Sequence, residues 1–160
     1  MSDPEGSTVL YEADGGIAAI TLNRPHARNA LSTALQRDLV AAFDRASGDN
    51  DVRVVILTGA GNAFCAGVDL KEFGRLDGNA DARHAETAWD AMSRCAKPII
   101  GAVNGPAITG GFEIALACDV LIASVLVLLL SFSICNHLQG SPSIRTSLWY
   151  ETAVWYVPLR

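Results

Sequence analysis

The apolar positions of the chain fall into short runs of two kinds. Thr8-Val9-Leu10-Tyr11 and Ile17-Ala18-Ala19-Ile20-Thr21-Leu22 have strand length and β-rich composition, and Asp14-Gly15-Gly16 between them supplies turn residues, so this region predicts a β-hairpin. Asn23-Arg24-Pro25 ends the second strand, since proline cannot continue a ladder. From Leu31 to Ala46 the spacing changes: Leu35, Leu39, Ala42, Phe43 and Ala46 fall on one helical face. Thr33 followed by Gln36 has the form of a capping box, and Gly48 with Asp49-Asn50-Asp51 closes the helix. Val52 to Thr58 contains the unbroken run Val54-Val55-Ile56-Leu57, suited to a sheet covered on both faces. A tight loop, Gly59-Ala60-Gly61-Asn62, follows.

After a polar, glycine-containing segment from Gly74 to Asp81, helical spacing returns between Ala82 and Cys95. It places Ala85, Ala88, Trp89, Met92 and Cys95 on one side, and Lys97-Pro98 stops it. Residues 98–103 and 119–123 read as strands. Strands alternating with helices predict an α/β fold. No repeat of fixed sequence period is visible.

Composition narrows the function. Half the 160 residues are hydrophobic, 18% are charged and the net charge is -5, which excludes the basic face of a nucleic-acid binder. Cysteines at 65, 95, 118 and 135 form no CxxC pair and, with His26, His84 and His137, no zinc spacing; free buried thiols in a reducing cytosol are expected. The acidic start, Met1 to Gly6, has no apolar core of a secretory signal. A break lies within the chain: of 12 Lys and Arg only Arg145 and Arg160 lie beyond Ser124, and of 17 Asp and Glu only Glu151.

Several familiar motifs fail. Gly59-Ala60-Gly61 follows a strand, but a dinucleotide fingerprint would need glycine where Phe64 stands. The glycines from Gly105 to Gly111 lack the Lys-Ser/Thr pair of a phosphate-cradling loop, and no G-x-S-x-G is present. Cys65 has no identifiable base nearby and reads as a structural thiol.

What remains is a pair of strand–loop–helix junctions rich in small residues, Phe64 to Leu70 and Gly105 to Glu113. In the second, Gly110-Gly111 opens a helix and leaves backbone N–H groups bare, with the Glu113 carboxylate one turn in. One N–H from each junction, converging on one oxygen, would hold a carbonyl that becomes negatively charged; each such donor contributes about 3 kcal/mol of transition-state stabilisation. On spacing alone, both junctions are equally readable as tight connections of an α/β domain.

The residues themselves go further. Phe64 through Leu70 (FCAGVDL) together with Asn104 through Asp119 (NGPAITGGFEIALACD) resembles the enoyl-CoA hydratase/isomerase, or crotonase, superfamily. Leu22-Asn23-Arg24-Pro25, Asn29-Ala30-Leu31 and Val54 to Gly59 are similar to the family's opening segments. The resemblance runs from about residue 8 to Ser124. It implies an α/β fold, a crotonase-like spiral of ββα units, here truncated. It also implies fatty-acid metabolism in the cytoplasm, an acyl-CoA thioester as substrate, no permanently bound cofactor and no metal.

Residue by residue, Val68 and Gly110 match the positions whose backbone N–H groups form the family's oxyanion hole. Val68, Asp69, Leu70 and Lys71 match the segment along which coenzyme A lies. Lys71 would reach the phosphates or adenine, or is a solvated surface lysine; Asp69 has the alternative of capping the following turn. Glu113 matches the first catalytic glutamate of the hydratases, which helps activate water; its alternative is a surface Glu stabilised by the helix dipole. Two departures stand out. Thr109 occupies a place where many members have glycine. The family's second acid/base residue would fall near Ser133, where the pattern no longer matches.

The implied activity is syn hydration of a 2-enoyl-CoA to a 3-hydroxyacyl-CoA, a lyase reaction, with double-bond isomerisation drawing on the same enolate-stabilising hole. The alternative is an inactive fragment that binds coenzyme A, a membrane or a partner; full-length relatives of the family form homo-oligomers. Residues 1–124 are read as the N-terminal part of a crotonase-like domain, and 125–160 as an unassigned hydrophobic and aromatic tail. The uncharged run Val120 to Cys135, about sixteen residues, falls short of the ~20 that span a bilayer. Trp149, Tyr150, Trp155 and Tyr156 beyond it would suit an interfacial belt. The abrupt loss of charge and family pattern at Ser124 is read as a reading frame diverted there.

Overall fold

A computed structural model describes residues 6–73, 87–124, 129–130, 145–149 and 152–156. The acidic residues 1–5, the polar segment 74–81, residues 82–86 of the expected second helix and 125–128, 131–144, 150–151 and 157–160 of the tail lie outside them, as does the position near Ser133.

Strands β1 (Val9–Asp14) and β2 (Ile17–Leu22) form the expected antiparallel hairpin. Gly15 and Gly16 have φ of 55° and 86°, the two left-handed residues that a two-residue turn requires. Helix α1 (Thr33–Gly48) buries the stripe Leu35, Leu39, Ala42, Phe43 and Ala46. Leu35, Leu39 and Phe43 are fully enclosed, and each such side chain contributes about 1.5–3 kcal/mol relative to exposure.

The cap differs from expectation. Ser32, still extended at φ -80° and ψ 164°, accepts the Leu35 N–H on its Oγ at 3.2 Å, whereas Thr33 is already helical. A cap needs a non-helical backbone, so the Thr33–Gln36 box does not form. Thr33 turns instead to Glu72, whose Oε2 accepts its N–H at 2.8 Å and its hydroxyl at 2.9 Å.

Strand β3 (Val54–Gly59) is followed by the one-turn helix α2 (Leu70–Phe73) and by α3 (Ala88–Arg94). Helix α3 starts at Ala88, not at Ala82: Thr87 is extended at ψ 160° and shares a reciprocal capping box with Asp90. Ala88, Ala91 and Met92 face the core, with Trp89 and Cys95 packed at its margin. Strands β4 (Ile99–Val103), β5 (Ala107–Ile108), helix α4 (Gly110–Leu116) and strands β6 (Val120–Ser124) and β7 (Leu129–Leu130) follow. Strands β8 (Arg145–Trp149) and β9 (Thr152–Tyr156) complete the described chain.

The main sheet runs β1-β2-β3-β4-β6-β9-β8. It is parallel from β2 to β6 and antiparallel at both ends, so the fold is α/β with a mixed sheet. The apolar run that begins at Val120 therefore enters a strand. Among the described residues no helix is long and apolar enough to cross a membrane.

A second, smaller series of pairings runs alongside. Leu31 bridges Val68, Cys65 bridges Ala107, and β5 pairs with β7, all in parallel. Each of β2, β3, β4 and β6 is thus followed by a short extended stretch that meets its counterpart in the next unit. The chain repeats a long strand and a short one, with a helix leading on to the next, although no sequence period marks the repeat.

Candidate active site

The short pairings bring three connections together: residues 23–32 after β2, 60–69 after β3 and 104–110 after β4. Their contacts are mostly backbone. Phe64 and Cys65 both donate to the Pro106 carbonyl, at 3.1 and 3.2 Å, and Ile108 N–H returns to the Cys65 carbonyl at 3.0 Å. On the other side, Ala66 N–H donates to the Arg28 carbonyl at 3.0 Å, Leu31 N–H to the Gly67 carbonyl at 2.8 Å, and Asp69 N–H to the Leu31 carbonyl at 3.2 Å.

Glycine makes this closeness achievable. A side-chain carbon on Gly67 would strike the Thr109 hydroxyl and stand 2.7 Å from the Ile108 carbonyl oxygen; one on Gly111 would strike the Cys65 carbonyl, with Cys65 Cβ at 2.8 Å. The two junctions are pressed together where their backbones carry the fewest atoms.

Val68 and Gly110 meet at this contact. The position a side-chain carbon would take on Gly110 is 3.6 Å from Val68 Cγ2 and 3.8 Å from Val68 N, so the two residues are immediate neighbours. The Gly67 carbonyl belongs to the same planar peptide as the Val68 N–H, and in a trans peptide the two point opposite ways. Its bond to Leu31 N–H therefore aims the Val68 N–H away from Leu31. Among the described residues neither the Val68 N–H nor the Gly110 N–H has a protein acceptor. Gly110 follows Thr109, which holds φ 48° and ψ -119°, a conformation natural to glycine and strained for a residue with a side chain.

Glu113 stands in the first turn of α4, its N–H donating to the Thr109 carbonyl at 3.0 Å. Its carboxylate is exposed and meets no hydrogen-bonding group among the described residues. Lys71 is exposed, and Leu70 is 83% exposed at the head of α2. Asp69 differs from its neighbours: it is buried, and its carboxylate is engaged. Oδ2 pairs with Arg24 Nη1 at 2.9 Å, and Oδ1 accepts the Lys71 N–H at 3.1 Å, the turn-capping contact. The Arg24 hydrogen bond holds the Asp69 carboxyl below the ordinary carboxylate value of 3.8, against the opposing effect of burial.

The structure adds residues to which sequence reasoning gave no role. Asn29 is fully buried (0% exposed) at φ 56°. Its amide nitrogen donates to the carbonyls of Ala60 at 2.9 Å and Ala63 at 2.8 Å, and its oxygen accepts the Arg24 N–H at 2.9 Å. Asn104 does the same for the ends of β3 and β4, donating to the Gly59 and Gly61 carbonyls and accepting the Gly59 N–H. Both lie within segments singled out by resemblance, which was the only signal for them. Cys65 and Cys118 are buried free thiols, pushed up by that burial to about 11 and about 12, where neither is a nucleophile. Among the described residues no group of side chains could hold a metal ion.

The fold is α/β, with the connections after β2, β3 and β4 stitched together by backbone bonds and Glu113 exposed in the first turn of α4. A family model described as enoyl-CoA hydratase/isomerase matches residues 12–126, and the chain belongs to that family. The chain is 51% identical over 116 residues to a probable peroxisomal enoyl-CoA hydratase of Arabidopsis thaliana, covering 72% of this chain and 43% of the relative. It is 45% identical over 124 residues to an enoyl-CoA hydratase of Mycobacterium tuberculosis, with 74% and 47% covered. Among solved structures, an enoyl-CoA hydratase/isomerase (crotonase) from Legionella pneumophila superposes with a TM-score of 0.69 at 31% identity, over 76% of this chain and 49% of that one. The chain spans just under half the length of the curated relatives it matches.

Proposed function

We propose that this site polarises the thioester carbonyl of a 2-enoyl-CoA and directs syn addition of water, giving a 3-hydroxyacyl-CoA. The observation that supports the reading is that the amides of Val68 and Gly110, neighbours where Gly67 and Gly111 let the two junctions close, have no protein acceptor among the described residues. Together they would grip the thioester oxygen and stabilise the enolate that forms as water adds. Donors fixed in advance act without reorganising, which is why such holes lower barriers. Glu113, exposed and one turn into α4, would take the proton of the attacking water and return it to C2 of the enolate on the same face, so that hydroxyl and hydrogen add syn. Coenzyme A would lie along Val68, Asp69, Leu70 and Lys71. Asp69 would serve there through its backbone, since its carboxylate is committed to Arg24, while Leu70 and Lys71 offer exposed side chains.

Loss of the conjugated enoyl-thioester absorbance of crotonyl-CoA tests this directly. The 160-residue chain is expected to consume it, and Glu113→Gln to slow turnover by about 10²- to 10⁴-fold with unchanged thermal unfolding. A second reading is a fold that binds coenzyme A thioesters without turning them over. Retained acyl-CoA binding with no turnover by the unaltered chain would replace the first reading with the second. A shifted double bond in place of a hydroxyl would make the reaction an isomerisation.

A further inference from the structure

We infer that Arg24 is the positioning residue for the Val68 amide, an inference that rests on the reading of that amide as a carbonyl-polarising donor. The Val68 N–H can be aimed only by fixing the Gly67–Val68 peptide plane. Every bond that does so ends on one strip of chain, residues 30–31. Leu31 N–H holds the Gly67 carbonyl, and the Leu31 carbonyl holds Asp69 N–H, one bond on each side of Val68. These are single backbone contacts between a loop and a loop. What locks the two loops together is Arg24: its Nη1 donates both to the Ala30 carbonyl at 2.7 Å and to Asp69 Oδ2 at 2.9 Å. One nitrogen thus ties the strip that aims the peptide to the residue after Val68.

The pair is well enclosed, at 17% and 11% side-chain exposure, so water competes little for either charge. Asn29 in turn accepts the Arg24 N–H and fixes where the guanidinium starts from. The guanidinium is bonded to Ala30 and Asp69 and acts through the peptide plane. Misplacing a donor by about 1 Å is enough to cost about 100-fold in rate.

Butyryl-CoA labelled with carbon-13 at its thioester carbon has no double bond to react, and its carbonyl stretch in isotope-edited infrared difference spectra reports the hole. Bound to the full chain, the stretch is expected to move to lower wavenumber. Arg24→Met, similar in length but without donors, is expected to lose at least half of that movement while binding butyryl-CoA within about threefold, with kcat on crotonyl-CoA down about 100-fold and KM little changed. Asp69→Asn keeps the shape and weakens the tie, so a smaller loss in the same direction is expected; it carries the test if Arg24→Met does not fold. The full wild-type movement in a folded Arg24→Met, or in Asp69→Asn if that variant stands alone, overturns the role of Arg24 and leaves the hole intact. No movement in the unaltered chain overturns the hole itself, and the inference with it.

Discussion

The two junctions that meet at Val68 and Gly110 share backbone bonds but differ in what else holds them. The second, Gly105 to Gly111, combines its bonds to Phe64 and Cys65 with a local turn: a strained Thr109 redirects the chain, α4 starts at once, and Gly111 packs directly on Cys65. The first, Phe64 to Asp69, is shaped from outside. Besides its bonds to Pro106 and Ile108, its backbone is bonded to Arg28 and Leu31 and its carboxylate to Arg24, while Asn29 holds the Ala60 and Ala63 carbonyls just before it. One amide is thus placed by local conformation and the other by contacts up to 45 residues away in sequence. A site built this way needs two kinds of fidelity, and substitutions separate them.

The largest effect is expected from Asn29→Ala, which leaves two carbonyls and one N–H without partners and puts alanine at φ 56°. It should destabilise the fold by roughly 4 kcal/mol, read from denaturant unfolding. An effect below 1 kcal/mol would mean the first junction holds itself. Gly111→Ala attacks the second junction through a collision with the Cys65 carbonyl, and a loss of roughly 3 kcal/mol is expected in the same measurement.

Asp69→Asn should cost roughly 2 kcal/mol at neutral pH by weakening a charge-assisted contact. Its sign with pH is defined. A carboxyl depressed in the fold adds stability above its ordinary value of 3.8, and this is lost as pH falls through the depressed value. The difference between Asp69→Asn and the unaltered chain should therefore shrink below pH 3.8, and a gap that stays constant on acidification would separate the cost from the Asp69 charge. The smallest effect is a gain: Thr109→Gly relieves the strained turn and should stabilise the chain by about 1 kcal/mol in thermal unfolding. A loss instead would show that the Thr109 side chain holds the second junction by packing.

The elements built from near neighbours were legible in the sequence. The hairpin turn, the buried stripe of α1 and the apolar strand β3 each follow from residues within one or two turns of each other. The errors fell at boundaries. Ser32 rather than Thr33 caps α1 because Ser32 is still extended where Thr33 is already helical, and α3 begins at Ala88 because Thr87 and Asp90 close a box that hydrophobic spacing does not reveal. The framework residues Arg24 and Asn29 were within segments marked by resemblance, but their partners stand 45 and 31–34 positions away, beyond any spacing rule.

By itself the sequence determined which stretches become strands and helices and that they alternate into an α/β fold. Those choices rest on side-chain period and backbone preference, and both are local properties. Tertiary structure alone decided that Val68 and Gly110 become neighbours, that Asp69 faces inward to Arg24 while Leu70 and Lys71 face out, and that the chain repeats its strand pairings without repeating its letters. The reason is that these features are made by backbone groups, which every residue carries alike, and a pattern of side chains cannot mark which of them will meet.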